Sequence, residues 1–317
     1  MSVDQQSTSN TGNMYALLTV RAFLFALGPI GYVALVQYGL NPQLIIAYFL
    51  IIGGVISLAL NPALSAGKVR QTQIGVEVYG YTSRRAVLLL LVLAAITPLY
   101  YLCFVYAITL GTIIETSLLA RLSPLLALPF AVLFLDERIV RVNKVLLAYA
   151  CVFVAMGAMF YEQLIKANFD QIIPWMLGFA VAIVGAAEYI IMQKLSRHTY
   201  FKDYEIVGST MLVGGGGFLL FLMINDISIL RFPNVIELVG LIGLGFFTIS
   251  VPHTIAMQLN ARSRQPSLIA AGAYITVLFT AVLAYVLYGE QVNLITFLVA
   301  SAGIFLGLWF LNSGTKK

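Results

Sequence analysis

ETSLLARLSPLLALPFAVLFLDER, running from Glu115 to Arg138, is a hydrophobic stretch long enough to cross a bilayer. It nonetheless carries two charges and two prolines, and it ends in a compact charged turn. The same kind of stretch returns 153 residues later as LIAAGAYITVLFTAVLAYVLYGEQ, from Leu268 to Gln291. Laid over one another without gaps, Ala120 meets Ala273, Leu125 meets Leu278, Ala131 meets Ala284 and Glu137 meets Glu290. The chain reads as one unit written twice.

Composition agrees with a membrane setting for both copies. Hydrophobic residues make up 61% of the 317 positions and charged residues only 10%, whereas soluble domains hold about a quarter charged residues. The formal charge of +5 does not describe a nucleic-acid binder, because the basic residues sit in short gaps between apolar runs and form no polar face. Cys103 and Cys151 lie inside apolar runs without metal-ligand spacing, so neither a disulfide framework nor a metal site is expected. Residues 1–14 are polar and hold no Lys or Arg. They read as a disordered cytoplasmic tail and lack the basic region of a cleaved leader, so the first apolar run is expected to stay as a span.

A spanning helix needs about 20 mostly apolar residues. Ten such runs can be marked, at 15–37, 42–63, 85–106, 112–135, 141–160, 172–193, 205–224, 235–258, 266–288 and 292–311. Lipid gives the backbone no hydrogen-bond partner, which leaves helices or a closed barrel. Continuous apolar runs without two-residue alternation select helices. With the N-terminus inside, the alternate connections assigned to the cytoplasm hold most of the 18 basic residues. The opposite connections hold only Lys166 and Arg231, and Arg21 and Arg121 lie within helices. Cytoplasmic segments carry such an excess, so the protein is expected to sit in the cell membrane with both termini in the cytoplasm. Five helices per half is an odd number, so the second copy enters the membrane upside down, as in carriers that place two gates around one midplane site.

Each half resembles the EamA-type repeat of the drug/metabolite transporter superfamily. The resemblance rests on a small-residue-rich helix with a central proline, a charged turn and a following helix with small residues. In the first half these are Pro124, Leu135-Asp136-Glu137-Arg138, then Ala150 and Gly157. In the second they are Tyr288-Gly289-Glu290-Gln291, then Gly303 and Gly307, with Val277 where the second proline belongs and Gln291 where the arginine does. The resemblance covers 110–160 and 260–312 closely. It implies an all-α membrane protein of ten helices as two inverted five-helix repeats, 15–160 and 172–312. Helices 1–4 and 6–9 surround a cavity, and 5 and 10 are peripheral, open to a homodimer contact. It also implies a small-molecule solute as partner, rocking of the two halves, no enzymatic activity and no cofactor.

Ionisable side chains in mid-span are costly, at roughly 2.5–3.5 kcal/mol each on insertion scales, and so point to function. Arg121 lies about 13 Å inside the outer end of its helix at 1.5 Å per residue. It is read either as a cavity group for a substrate carboxylate, phosphate or carbonyl, or as a lock neutralised by a partner. Glu115, six residues away, is on a different face. Arg21, Glu188 and His253 share a depth nearer the cytoplasm, where an Arg21–Glu188 pair would be an inner gate or a static tie. His253 would then serve proton coupling or packing. Tyr100 and Phe104 share a face of helix 3 and form either a stacking platform or part of an outer aromatic belt, together with Tyr101 and Tyr106. Tyr274 overlies Arg121 in the repeat and is a further cavity candidate. Gly53-Gly54 and the run Gly214, Gly215, Gly216 and Gly217 are read as hinges or as close-packing surfaces. The tract at 214–217 has no preceding strand and no following Lys-Ser/Thr, so it is not a phosphate loop.

These readings converge on a multi-pass carrier for a small polar or amphipathic metabolite, amino-acid-like by its mixed charges. Proton-coupled export of cationic drugs through Glu115 or Glu188 is the nearest alternative, and a non-transporting membrane scaffold or sensor is the alternative of another class. Cysteines placed at Glu137 and Glu290 are expected to react with an impermeant thiol reagent from opposite faces of the membrane. Labelling of both from one face would remove the inversion.

Overall fold

The computed structural model describes residues 3–65, 83–123, 125–127, 130, 142–165, 172–198, 203–225, 231–253, 255, 266–291 and 293–314. These residues are helical throughout, with short connections and no strand among them. In chain order the helices are α1 (Val3–Gln37), α2 (Pro42–Ser65), α3 (Ser83–Leu110), α4 (Ile113–Ala120), α5 (Val142–Ile165), α6 (Ile172–His198), α7 (Asp203–Asn225), α8 (Val235–Leu244), α9 (Pro266–Tyr288) and α10 (Leu294–Gly314). Among the described residues, six helical stretches are long and apolar enough to cross a membrane, and shorter apolar stretches lie in α5, α9 and α10. The chain is therefore a helical multi-pass membrane protein. The α1 helix begins at Val3, where a disordered tail over 1–14 was expected. No proline interrupts those polar residues, so the helix continues outward from the apolar stretch Ala16–Gln37.

Short polar signals set the helix ends. The α1 helix stops at Gly39, whose φ of 96° only glycine adopts cheaply, and Leu40 N–H closes onto Leu35 O at 3.1 Å. Asn41 then accepts from Gln43 N–H at 2.8 Å and starts α2. The α9–α10 connection repeats the device, with Gly289 at φ 65° and Asn293 accepting from the N–H groups of Ile295 and Thr296. At α8 a capping box joins Asn234 and Glu237. The Glu237 carboxylate also takes both guanidinium nitrogens of Arg231, at 2.6 and 3.0 Å, and this raises the Arg231 pKa above its ordinary value.

The strongest packing pairs are α5 with α10, α2 with α7, α3 with α6 and α1 with α9. Each joins the first five helices to the second five. The α2–α7 contact is antiparallel: Gly215 meets Leu50 and Ile51, whereas Gly54 meets Gly208 and Leu212. The α5–α10 contact runs the same way, with Gly303 on Cys151 and Ala155, and Gly307 on Ala148 and Val152. Small residues let such backbones approach closely. The other faces of these two helices expose Phe153 and Ile295, each 74% accessible, apolar surfaces suited to lipid.

Neither glycine run breaks its helix, so no unwound hinge occurs at Gly53, Gly54, Gly214, Gly215, Gly216 or Gly217. A Cβ at Gly54 would lie 2.8 Å from Leu212 N, and one at Gly214 would lie 2.5 Å from Ala94 O. Gly53 packs against Ile249, whereas Gly216 and Gly217 face open space. Close approach explains four of the six. Gly54→Leu is expected to lower stability by about 1–3 kcal/mol through overpacking, read as a fall in melting temperature in detergent. Gly216→Ala is expected to be neutral or to stabilise by about 0.5–1 kcal/mol.

Candidate functional site

The interior polar groups collect where two helices lose their regular ladder. Pro124 has no N–H to offer the carbonyl of Ala120. The α4 helix ends there, and Arg121 is its C-cap, at φ −77° and ψ 0°. Ser123 replaces the missing donor, giving its hydroxyl to Ala120 O at 2.6 Å, while the N–H groups of Arg121 and Leu122 turn to carbonyls three residues back. Gly185 on α6 admits the broken segment, since a Cβ there would meet Ser123 Oγ at 2.9 Å and Tyr100 Cε2 at 3.1 Å, and Gly178 admits Leu119 just before it. The repeat partner behaves differently. With Val277 in the proline's place, α9 runs unbroken from Pro266 to Tyr288.

The second irregularity lies at the end of α8, where Gly245–Ser250 form a π-turn next to Pro252. Val251 N–H reaches back to Phe246 O. The Thr248 hydroxyl takes Leu244 O at 2.7 Å, and His253 Nδ1 lies 2.8 Å from Ile249 O. A carbonyl only accepts, so Nδ1 carries the hydrogen and Nε2 of the neutral ring is an acceptor. Such π-turns are frequent at functional sites.

Between these irregularities Tyr32, Phe49, Tyr100, Tyr101 and Phe104 form one aromatic cluster. Tyr101 lies edge-on to Phe49 at 5.1 Å, and Tyr100 is parallel to Phe104 at 6.2 Å. Phe104 is 7% exposed and Tyr32 2%, so Phe104 belongs to the interior, and Tyr100 and Tyr101, half-buried, pack against the same cluster. Tyr100 lies in the fields of both Arg121 and Glu188, and Arg21 in that of Arg121. Arg21 rests its guanidinium 5.2 Å from the Phe25 ring centre, and Phe25 packs edge-on against His253.

The expected Arg21–Glu188 ion pair does not form. Arg21 Nε and Glu188 Oε1 are both buried without a hydrogen-bond partner. Glu188 instead lies beside Thr97 on the wall of a cavity of about 60 Å³ lined also by Tyr101, Thr210, Met211 and His253. Glu115 is separate from this group and accepts from Trp175 Nε1 at 3.3 Å, tying α4 to α6. The Tyr274 side chain and the turn at Glu137–Arg138 lie outside the described residues. Sequence reasoning missed Thr97 and Thr210, whose signal is a hydroxyl in an apolar run. It also left Glu290 without a role. The Glu290 carboxylate accepts from Ile113 N–H at 2.9 Å and Ile114 N–H at 3.4 Å, capping α4 from the other half. Burial pushes the Glu290 carboxyl up, and the two N–H groups act against that.

A membrane-embedded helical bundle with a broken helix, interior arginines and a buried carboxylate defines a solute carrier by class. The sequence pattern of the EamA-like transporter family matches residues 11–163 and again 173–313. The chain belongs to that family, and so to the drug/metabolite transporters. The pseudopaline exporter CntI of Pseudomonas aeruginosa strain PAO1 is 27% identical over 237 residues, 74% of this chain and 78% of the exporter. The exporter of the same name from strain UCBPP-PA14 is 25% identical over 241 residues, with the same coverage. A solved crystal structure at 19% identity superposes with a TM-score of 0.60 over 96% of this chain and 99% of its own, which is a likeness of fold.

Removing the inter-half cap by Glu290→Ala is expected to cost about 1 kcal/mol, seen as a lower melting temperature. Glu290→Gln, which keeps one accepting oxygen, is expected to lose less.

Proposed function

We propose that this protein is a ten-helix carrier of two inverted halves, 15–160 and 172–312, that exports a small polar or amphipathic, amino-acid-like metabolite by alternating access. Both termini are placed in the cytoplasm. The observation that carries the reading is the break of α4 at Arg121, which puts a charged residue at an irregular turn inside the bundle, close enough for its charge to be felt at Tyr100. A guanidinium in that setting suits the carboxylate of a solute.

The antiparallel α2–α7 and α5–α10 contacts support two copies of opposite sense. The relatives are pseudopaline exporters, which supports export as the direction. The cavity, at about 60 Å³, takes a few atoms and not a whole metabolite. Passage therefore requires the pairs that join the halves to part, first on one side and then on the other. The Glu290 cap on α4 and the Arg231 link to Gly39 O, at 3.2 Å, are contacts to be broken on the side expected outside. Proton-coupled export of cationic drugs is the second reading, favoured by the unpartnered Glu188 Oε1; pH-dependent export that survives Glu188→Gln would count against it.

Counterflow of labelled amino acids and small metabolites in proteoliposomes tests the function. Exchange of at least one solute is expected, and no exchange across the panel would favour a scaffold or sensor. Arg121→Ala is expected to reduce exchange at least about tenfold, the weight of a lost charged hydrogen bond, with an unchanged melting profile. Undiminished exchange would take Arg121 out of the path.

A further inference from the structure

The cavity between α3, α6, α7 and α8 has an unbalanced hydrogen-bond inventory. Thr97 gives its hydroxyl hydrogen to Leu93 O at 2.9 Å, which leaves the lone pairs of its oxygen for a donor in the cavity. Glu188 Oε1 has no partner, and its carboxylate form accepts only. His253 holds a hydrogen on Nδ1 for Ile249 O, so in the neutral ring Nε2 is an acceptor. Thr210 Oγ1 is buried without a partner, and the residue is 4% exposed. The polar wall is thus richer in acceptors than in hydrogens, and a buried acceptor without a donor is costly. Arginines supply the opposite chemistry nearby: Arg21 makes its charge felt at His253 and lies in the field of Arg121.

We propose that Glu188, Thr97, Thr210 and the Nε2 of His253, with Tyr101 as one wall, form a subsite for a protonated primary amine. An alkylammonium brings three N–H donors and a positive charge, matching one carboxylate and several neutral acceptors. The cavity of about 60 Å³ holds such a head group with its first carbons. The rest of the solute lies towards the arginines, which places a carboxylate and an ammonium at opposite ends of one chamber. Solutes with a free amine are selected over their deaminated analogues. The assignment of the guest as part of an exported solute rests on the carrier reading above, whereas the subsite itself does not.

The test therefore reads binding and not flux. Purified full-length protein is titrated with ethylammonium chloride, and separately with tetramethylammonium chloride and sodium chloride at equal ionic strength, while its melting temperature is followed. Ethylammonium is expected to raise the melting temperature in a saturable way that the other two salts do not reproduce. Glu188→Gln is expected to weaken that response at least about tenfold, and Thr210→Val, which keeps shape and charge, by about threefold. Three results would overturn the subsite: no saturable shift in the wild type, an equal shift with sodium, or an undiminished response in Glu188→Gln. Should Glu188→Gln fail to fold, Thr210→Val and Thr97→Val decide in the same way. A counterflow panel that finds no solute would leave these outcomes unchanged.

Discussion

Hydrocarbon offers a backbone carbonyl nothing to bind, and the interior of this protein follows from how the carbonyl of Ala120 is satisfied. Pro124 withholds the usual donor, and the Ser123 hydroxyl supplies another within the same turn. The helix ends at Arg121 without leaving the bundle, and the break sets a charge within reach of Tyr100. On α6, Gly185 clears the space that Ser123 needs, and Gly178 does the same for Leu119 in the last turn of α4. The equivalent helix in the second half has Val277 and Val282 where the first has Pro124 and Pro129, and it runs unbroken. The two halves are thus alike in plan and unlike at the point where chemistry enters.

The second half finds its irregularity elsewhere, in the π-turn at Gly245–Ser250 beside Pro252. Hydroxyl and imidazole groups again stand in for backbone donors. Thr248 serves Leu244 O and His253 serves Ile249 O, and the second bond fixes which nitrogen of His253 faces away. A packing requirement of the backbone therefore sets the hydrogen-bonding character of a side chain at the cavity. The same economy governs Glu290, whose carboxylate completes the first turn of a helix in the other half.

Much of the fold was legible in the residues because membrane constraints act on length and composition. The apolar runs marked at 42–63, 172–193 and 266–288 match α2, α6 and α9 within a few residues at each end. Side-chain partners were less legible. The depth of Arg21 and Glu188 suggested an ion pair, but depth does not give rotation about the helix axis, and the two do not meet. Tyr100 and Phe104 sit near the end of a long helix, which suggested a belt. Tyr32 and Phe49, distant in sequence, draw them inward. The glycine tract suggested a hinge because glycine weakens an isolated helix. Packing between α2 and α7 instead uses the missing Cβ for contact.

The proposal of two opposed halves around one polar chamber requires that the chamber meet water from each side in turn. Thr210→Cys, in a Cys103→Ser and Cys151→Ser background, places a thiol on the cavity wall at a hydroxyl with no hydrogen bond to lose. In oriented vesicles that thiol is predicted to react with an impermeant reagent added to either face, more slowly when a transported solute is present. A thiol that reacts from one face only under every condition, or from neither, would contradict a chamber with alternating openings.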